Sequence, residues 1–413
     1  MDNHDLSVWA GKPGMKKSFA SRTDLFIESV IREMTRLGEK TGAINLSQGL
    51  PELGTPPSVI QAASAAILDG ENQYTFPFGS PEFRNTIAQN YLIRWNSIVD
   101  PDTDITVTCG VSEAVMSAIL ALTEPGDEVI IFEPCYENYG PDCWMAGVKP
   151  VFVQLEGSTY TLDPQKLISA FDSKTRLLIL NSPHNPTGKV FTEQELIMIG
   201  ELCNQFGVIA VADEIYEHIL YDGIQHISIA TLPGMEDKTV TISGLGKTYA
   251  VTGWRVGWAV ADKEISRRIR KVHDFLTVCA PAPFQKAGIV ALNLPTVYYD
   301  NMRHEYTQRK NILLNALDVC GMSYFSPQGA YYVLADFSQI EWDEQKYWKP
   351  DWTMDRTFAE YIVRDIGVAV VPGSSFYFDV KKMGENKIRF NFAKTIPTMN
   401  AAAERLLKLS AKY

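Results

Sequence analysis

The chain is short of several things, and each shortage argues against a class of function. Its six cysteines, at 109, 135, 143, 203, 279 and 320, form no C-x-x-C pair and meet no histidine at metal-ligand spacing, which speaks against a zinc site and a disulfide scaffold. Positive charge is scarce too. Against 49 acidic residues stand 38 Lys and Arg, a net charge of −11, so there is no cationic excess to neutralise a nucleic-acid backbone. The densest basic group, Arg267-Arg268-Ile269-Arg270-Lys271, lies in a helical pattern and reads as a solvated face. No apolar run approaches a membrane span, and the opening residues, with Asp2, His4 and Asp5 ahead of Lys12 to Lys17, lack a signal-peptide core. A cytoplasmic protein with reduced thiols is the resulting expectation.

What is present is ordinary globular material: 46% hydrophobic, 21% charged, and at 413 residues long enough for two domains. Residues 1 to about 22 show no periodicity, and Trp9 within them either anchors the arm or packs over a site. Leu25, Ile27, Ile31, Met34 and Leu37 recur at helical spacing up to a Gly38 stop. A short strand, 43–46, then enters the Gln48-Gly49-Leu50-Pro51 turn, and 57–68 reads as a helix. From Ile105 strands and helices alternate: strands at 105–109, 128–132, 150–154, 176–180 and 208–212, with helices at 112–123, 138–146, 163–171 and 192–206 between them. That alternation, with strands apolar throughout, predicts a mostly parallel sheet covered by helices, with ligands at the carboxyl ends of the strands. Residues 265–316 read as largely helical. Beyond 320, strands at 331–335, 368–371 and 388–392 mix with helices at 353–364 and 396–408, as in a smaller α+β unit. The stretch from Trp342 to Trp352 is either a loop near a site or a surface insertion.

The most informative run is Ser243-Gly244-Leu245-Gly246-Lys247-Thr248, continuing through Gly253-Trp254-Arg255-Val256-Gly257. A lysine among glycines can be a phosphate-binding charge or an amine nucleophile. The phosphate-loop reading fails on spacing, because the first glycine of G-x-x-x-x-G-K-[ST] would fall on Thr241. The acidic strand 208–214 also precedes the lysine instead of following it. The amine reading calls for a carbonyl cofactor carrying its own phosphate.

Gly244, Gly246, Lys247, Ala250, Gly253 and Arg255-Val256-Gly257 together resemble the cofactor-lysine pattern of class I aminotransferases of PLP fold type I. The chain is most similar to the branch holding the kynurenine, glutamine, methionine and aspartate enzymes. The likeness runs from about Asn45 to Phe392, with several motifs in the family's order. It implies an α/β fold, a large domain with a mostly parallel central sheet plus a smaller α+β domain. On that basis residues 1–50 are the arm and part of the small domain, 51–300 the large domain, and 301–413 the linking helix and small domain.

The resemblance also implies roles. Lys247 would hold pyridoxal 5'-phosphate (PLP) as a Schiff base and then move a proton between the substrate Cα and the cofactor. Asp213, otherwise a strand-end helix cap, would face the pyridine nitrogen, and Tyr216 with Asn185 would reach the ring oxygen; Asn185-Pro186-Thr187-Gly188 alone is simply a good turn. Gly110-Val111-Ser112 feeds a helix N-terminus suited to an anion, and Arg255 adds a fixed positive fork. Ser112 is equally an N-cap. Relatives carry a serine where Gly244 stands, so one phosphate hydroxyl is missing or Ser243 replaces it. Tyr136 matches the aromatic stacked on the ring. Tyr74 matches a tyrosine that reaches the neighbouring subunit's phosphate, implying a homodimer. Gly49 would lie beside the substrate carboxylate, or is a bare turn glycine. Arg389, a charge inside the alternating 388–392 strand, would grip that carboxylate, with a structural ion pair as the competing reading.

The implied reaction is transamination between an L-α-amino acid and a 2-oxo acid, with the side-chain preference open among apolar, aromatic and sulfur-containing donors. Thr277, Val278 and Cys279 depart from the aromatic-plus-histidine pair of kynurenine-type members. A C–S β-lyase, or another biosynthetic enzyme using the same cofactor, would keep the same site. A regulator's cofactor-binding domain would need a DNA-binding module for which the N-terminal stretch has no room.

Overall fold

A computed structural model describes residues 19–379 and 381–410; Trp9 lies outside them. A 3-10 turn, Ser21–Leu25, leads to α1 (Val30–Thr41), β1 (Ile44–Asn45) and α2 (Pro57–Leu68), followed by α3 (Pro81–Trp95). Then come β2 (Ile105–Thr108), α4 (Val111–Leu122), β3 (Glu128–Glu133), α5 (Tyr139–Ala146), β4 (Lys149–Glu156) and β5 (Thr161–Leu162). Next are α6 (Pro164–Ala170), β6 (Thr175–Asn181), α7 (Glu193–Phe206), β7 (Ile209–Asp213), β8 (Thr239–Gly244), α8 (Leu245–Thr248) and β9 (Gly257–Val260). Three helices, α9 (Lys263–Thr277), α10 (Ala282–Leu292) and α11 (Thr296–Cys320), precede β10 (Ser323–Tyr324) and β11 (Tyr332–Asp336). The chain closes with α12 (Met354–Tyr361), β12 (Val368–Ala369), β13 (Val371–Pro372), β14 (Lys387–Asn391) and α13 (Ile396–Leu406).

Eight strands form the central sheet in the order β2-β9-β8-β7-β6-β3-β4-β5. The pairs from β8 to β4 are parallel, while β9 runs against both its neighbours and β5 against β4. Consecutive residues of a strand point to opposite faces, and here both faces are covered. Val129, Ile131, Leu177 and Ile179 pack with α4 and α9, whereas Ile130, Phe132, Leu178 and Leu180 pack with α7. This is why the strands read as unbroken apolar runs. Because β2, β3, β6, β7 and β8 point the same way, the residues after them converge on one edge.

A second, antiparallel sheet of order β10-β11-β14-β13 holds Arg389 opposite Leu334 and Val371. The parallel pair β1–β12 ties the N-terminal segment to this region, and the amide of Asn391 donates to the Leu46 carbonyl at 2.9 Å.

Two expectations at the N-terminal end are corrected. The helix begins only at Val30, after a Ser29 cap, because Leu25 and Ile27 are exposed. It continues through Gly38 to a left-handed Gly42 with φ 68°. Gly38 is needed where the helix crosses β12, since a Cβ there would lie 2.8 Å from that of Ala369. Around Trp342 the chain is irregular; Trp342 packs on Phe358 and Tyr361, and none of residues 342–352 borders the cavity described next.

Candidate active site

A cavity of about 490 Å³ opens where the strand ends converge, closed from above by the turn after β1 and by β14. The turn is shaped by one side chain. Asn45 Oδ1 accepts from the amide and hydroxyl of Ser47 and from the amide of Gln48, at 2.9, 2.8 and 3.2 Å. So folded, it presents the Ser47 and Gly49 carbonyls to two cations. Lys247 Nζ, on the single turn α8, donates to Gly49 O at 3.0 Å, and the Tyr331 hydroxyl donates to the same oxygen at 3.2 Å. Any side chain at Gly49 would strike the Tyr332 hydroxyl, 1.8 Å from an ideal Cβ.

Asp213 ends β7 and is 4% exposed. Tyr139 donates to its Oδ2 at 2.8 Å and the Ile215 amide to its Oδ1 at 3.2 Å. Burial dominates, pushing the carboxyl up to about 6 against the pull of those donors and of Lys247. Asn181, ending β6, supports the group by donating to the Asp213 carbonyl at 2.9 Å, and accepts from the Asn185 amide at 2.8 Å. The Tyr216 and Tyr332 hydroxyls lie 3.1 Å apart, and burial raises the Tyr216 phenol well above its ordinary range.

Arg389 is 1% exposed, yet among the described residues no acid pairs with it. Its Nη1 donates to Asn185 Oδ1 at 2.9 Å and its Nη2 to Ser47 O at 2.6 Å, while Nε has no partner. Tyr332 and Phe376 flank the guanidinium, with Cζ 4.4 and 4.7 Å from the ring centroids. A buried cation that borders the cavity and is held only by neutral acceptors can receive an anion there.

At the opposite wall Gly110, whose φ of 83° suits glycine, leads into α4. Backbone meets backbone here. A Cβ on Gly257 would lie 2.8 Å from both Gly110 C and Val111 N, and one on Gly244 would lie 2.9 Å from Val256 O. Arg255, held by Thr252 O at 2.9 Å, lays its guanidinium against Gly110. Free amides, a helix N-terminus and a cation thus share one corner with Ser112. Amine, buried acid, anion corner and second anion receptor together fit a phosphorylated aromatic aldehyde and a carboxylate-bearing substrate.

Lys247, Asp213, Tyr216, Val111, Ser112, Tyr136, Asn185, Arg255, Gly49 and Arg389 all border this cavity. Two expected residues do not. Ser243 donates its hydroxyl to Glu217 Oε1 at 2.6 Å, beneath the floor, so the expectation that it replaces a missing phosphate hydroxyl is corrected. Tyr74 is 81% exposed and does not border the cavity. Tyr139, Asn181 and Tyr332 were not singled out from the sequence. Tyr139 and Asn181 follow or end strands, a usable signal, whereas Tyr332 sits inside a strand and carries none.

Comparison with known proteins gives the same direction. The family model described as aminotransferase class I and II matches residues 41–406. The chain is 33% identical over 414 residues to human kynurenine–oxoglutarate transaminase 3, covering 96% of this chain and 91% of that one. The solved N-succinyldiaminopimelate aminotransferase of Mycobacterium tuberculosis superposes with a TM-score of 0.88 at 34% identity, covering 95% of this chain and all of that one (100%). An Escherichia coli protein identified as a methionine aminotransferase does so with a TM-score of 0.87 at 32% identity, with coverages of 95% and 100%.

Proposed function

The chain belongs to the class I and II aminotransferases, enzymes that move an amino group between an amino acid and a 2-oxo acid with pyridoxal 5'-phosphate, and we propose how its own residues divide that work. When bound, the cofactor supplies an aldehyde that captures amines and a cationic ring that draws electrons from the substrate Cα. Lys247 would be the amine that holds it and the base for the Cα proton; its bond to Gly49 O keeps the side chain aimed into the cavity. Asp213 would pair with the ring nitrogen. A carboxylate that burial has made costly to ionise is stabilised by a cationic partner.

Tyr216 and Asn185 donate to the ring oxygen. Asn185 Oδ1 is taken by Arg389, which leaves its amide nitrogen for that task. The Val111 amide, Ser112 and Arg255 would hold the phosphate, and Tyr136 would cover the ring. Arg389 binds the α-carboxylate through its planar fork, orienting Cα toward Lys247. We take 51–300 as the cofactor-binding domain.

The reading extends to a cytoplasmic homodimer. Six free thiols support a reducing compartment, and the exposed Tyr74 supports a role in a neighbouring subunit's site. Among the described residues no helix is long and apolar enough to cross a membrane. The relatives named above act on different donors, so the donor is chosen by this chain's own walls.

The observation that carries the proposal is an amine and a buried acid in one cavity with an arginine that has no acid of its own. Stopped-flow spectra with a panel of amino acids test it: conversion of the cofactor to its amine form marks transamination. Pyruvate and ammonia released from cysteine conjugates would mark elimination instead. Sedimentation of the holoenzyme tests the dimer.

A further inference from the structure

Beside the first cavity lies a second, of about 530 Å³, that the proposed reaction leaves unused. Ser29, Arg32 and Glu137 border both, and the Ser29 hydroxyl donates to Glu137 within this shared wall. Beyond the wall the surfaces are aromatic. Phe26 stacks on Trp144 with centroids 6.5 Å apart, Trp144 meets Phe378 edge-on at 5.5 Å, and Trp352 and Tyr377 complete the lining.

Most charges around this space are answered or solvated. Glu28 pairs with Arg36 and Arg356 with Glu33, while Arg32, Asp351 and Lys381 are exposed. Asp142 is neither. It borders the cavity, is 6% exposed, and among the described residues its carboxylate has no hydrogen-bond donor and no counter-ion. Burial alone pushes it up to about 7. An unpartnered buried acid destabilises the fold relative to an apolar residue, and its place in the first turn of α5 offsets only a fraction of that. A donor from a ligand would complete it.

Resting on the aminotransferase reading of the first cavity, we propose that the second cavity is a subsite for the amino donor's side chain. The side chain extends past the wall of Ser29 and Glu137, lays an apolar stem between Trp144 and Trp352, and places a terminal N–H donor on Asp142. The substrate class is an amino acid with a long, apolar, donor-tipped side chain.

The holoenzyme is assayed with alanine and with two shape-matched donors, 4-amino-homophenylalanine and 4-methyl-homophenylalanine. Wild type favours the amino member by about tenfold in kcat/KM, mostly through KM. Asp142→Leu abolishes that preference with alanine turnover unchanged, and Asp142→Asn, which keeps an acceptor, retains part of it. Calorimetric binding of 4-(4-aminophenyl)butanoate against 4-(4-methylphenyl)butanoate reports the same preference without turnover. Equal handling of the two donors by wild type, or a preference that survives in both variants, overturns the subsite. If Asp142→Leu does not fold, Asp142→Asn and the calorimetry decide. Failure of wild type to transaminate any donor overturns the underlying reading instead.

Discussion

The first cavity gathers many of its polar groups from the ends of parallel strands, whereas the second is walled mainly by helix and loop side chains, and the contrast is sharpest in their two buried carboxylates. Asp213 is held by Tyr139 and the Ile215 amide and stands in the field of Lys247. Asp142 has none of these supports, and burial raises it further, to about 7 against about 6. A carboxylate with oriented donors has its position fixed before any ligand arrives; one without them is defined only by what comes to meet it. On the proposed reading, Asp213 is a prepared catalytic group and Asp142 a recognition group.

The largest expected effects break this comparison at the acids themselves. Both folded-state values lie above the unfolded one, so each group's contribution to stability is fully present below about pH 4 and is lost as the pH rises through about 7 for Asp142 and about 6 for Asp213. At pH 8, in cofactor-free protein, Asp142→Asn should therefore be more stable than wild type by about 4 kcal/mol and Asp213→Asn by about 3 kcal/mol, as upper figures from the shifts. Both differences should vanish near pH 3. Urea unfolding across pH measures them, and saturation with the cofactor should reverse the gain for Asp213→Asn alone.

At the anion receptor, Arg389→Lys keeps the charge but loses the fork. We expect kcat/KM for amino acids to fall by about a hundredfold, read in steady-state kinetics, with smaller losses for amines that lack the α-carboxylate. At the phosphate corner, Gly257→Ala forces backbone apart where a Cβ would lie 2.8 Å from Gly110 C. The cofactor dissociation constant should rise by about tenfold in fluorescence titration. Smallest of all, Ser243→Ala removes a bond to Glu217 beneath the floor. It should cost about 1–2 kcal/mol of stability and leave cofactor affinity within about twofold, where a phosphate-binding hydroxyl would weaken it more.

Much of the first cavity was legible because its motifs resemble the family's, and because several of its groups sit just past buried strands, where a charge or a glycine interrupts an apolar run. Asp213 after Val208–Ala212, Gly110 after the β2 run and Lys247 after β8 all stand out in this way. Arg389 stood out as a charge inside an alternating strand. The misses have physical causes. Ser243 follows the same strand rule as Lys247, but its side chain points to the other face of β8, toward Glu217. Gly38 looked like a helix stop because a glycine needed for close packing against Ala369 is indistinguishable in sequence from one needed for a left-handed turn. Nothing announced α3, which opens in a turn-rich segment. The second cavity was illegible because its walls come from residues 25–32, 137–145, 351–356 and 372–381, joined only by the fold.

The central claim is that Lys247 is the amine that holds the cofactor. Borohydride reduction of the loaded enzyme followed by peptide mass mapping tests it most directly. The account predicts one phosphopyridoxyl group per chain, on the peptide containing Lys247, and none on Lys247→Ala protein; a stoichiometric label on any other lysine would contradict it.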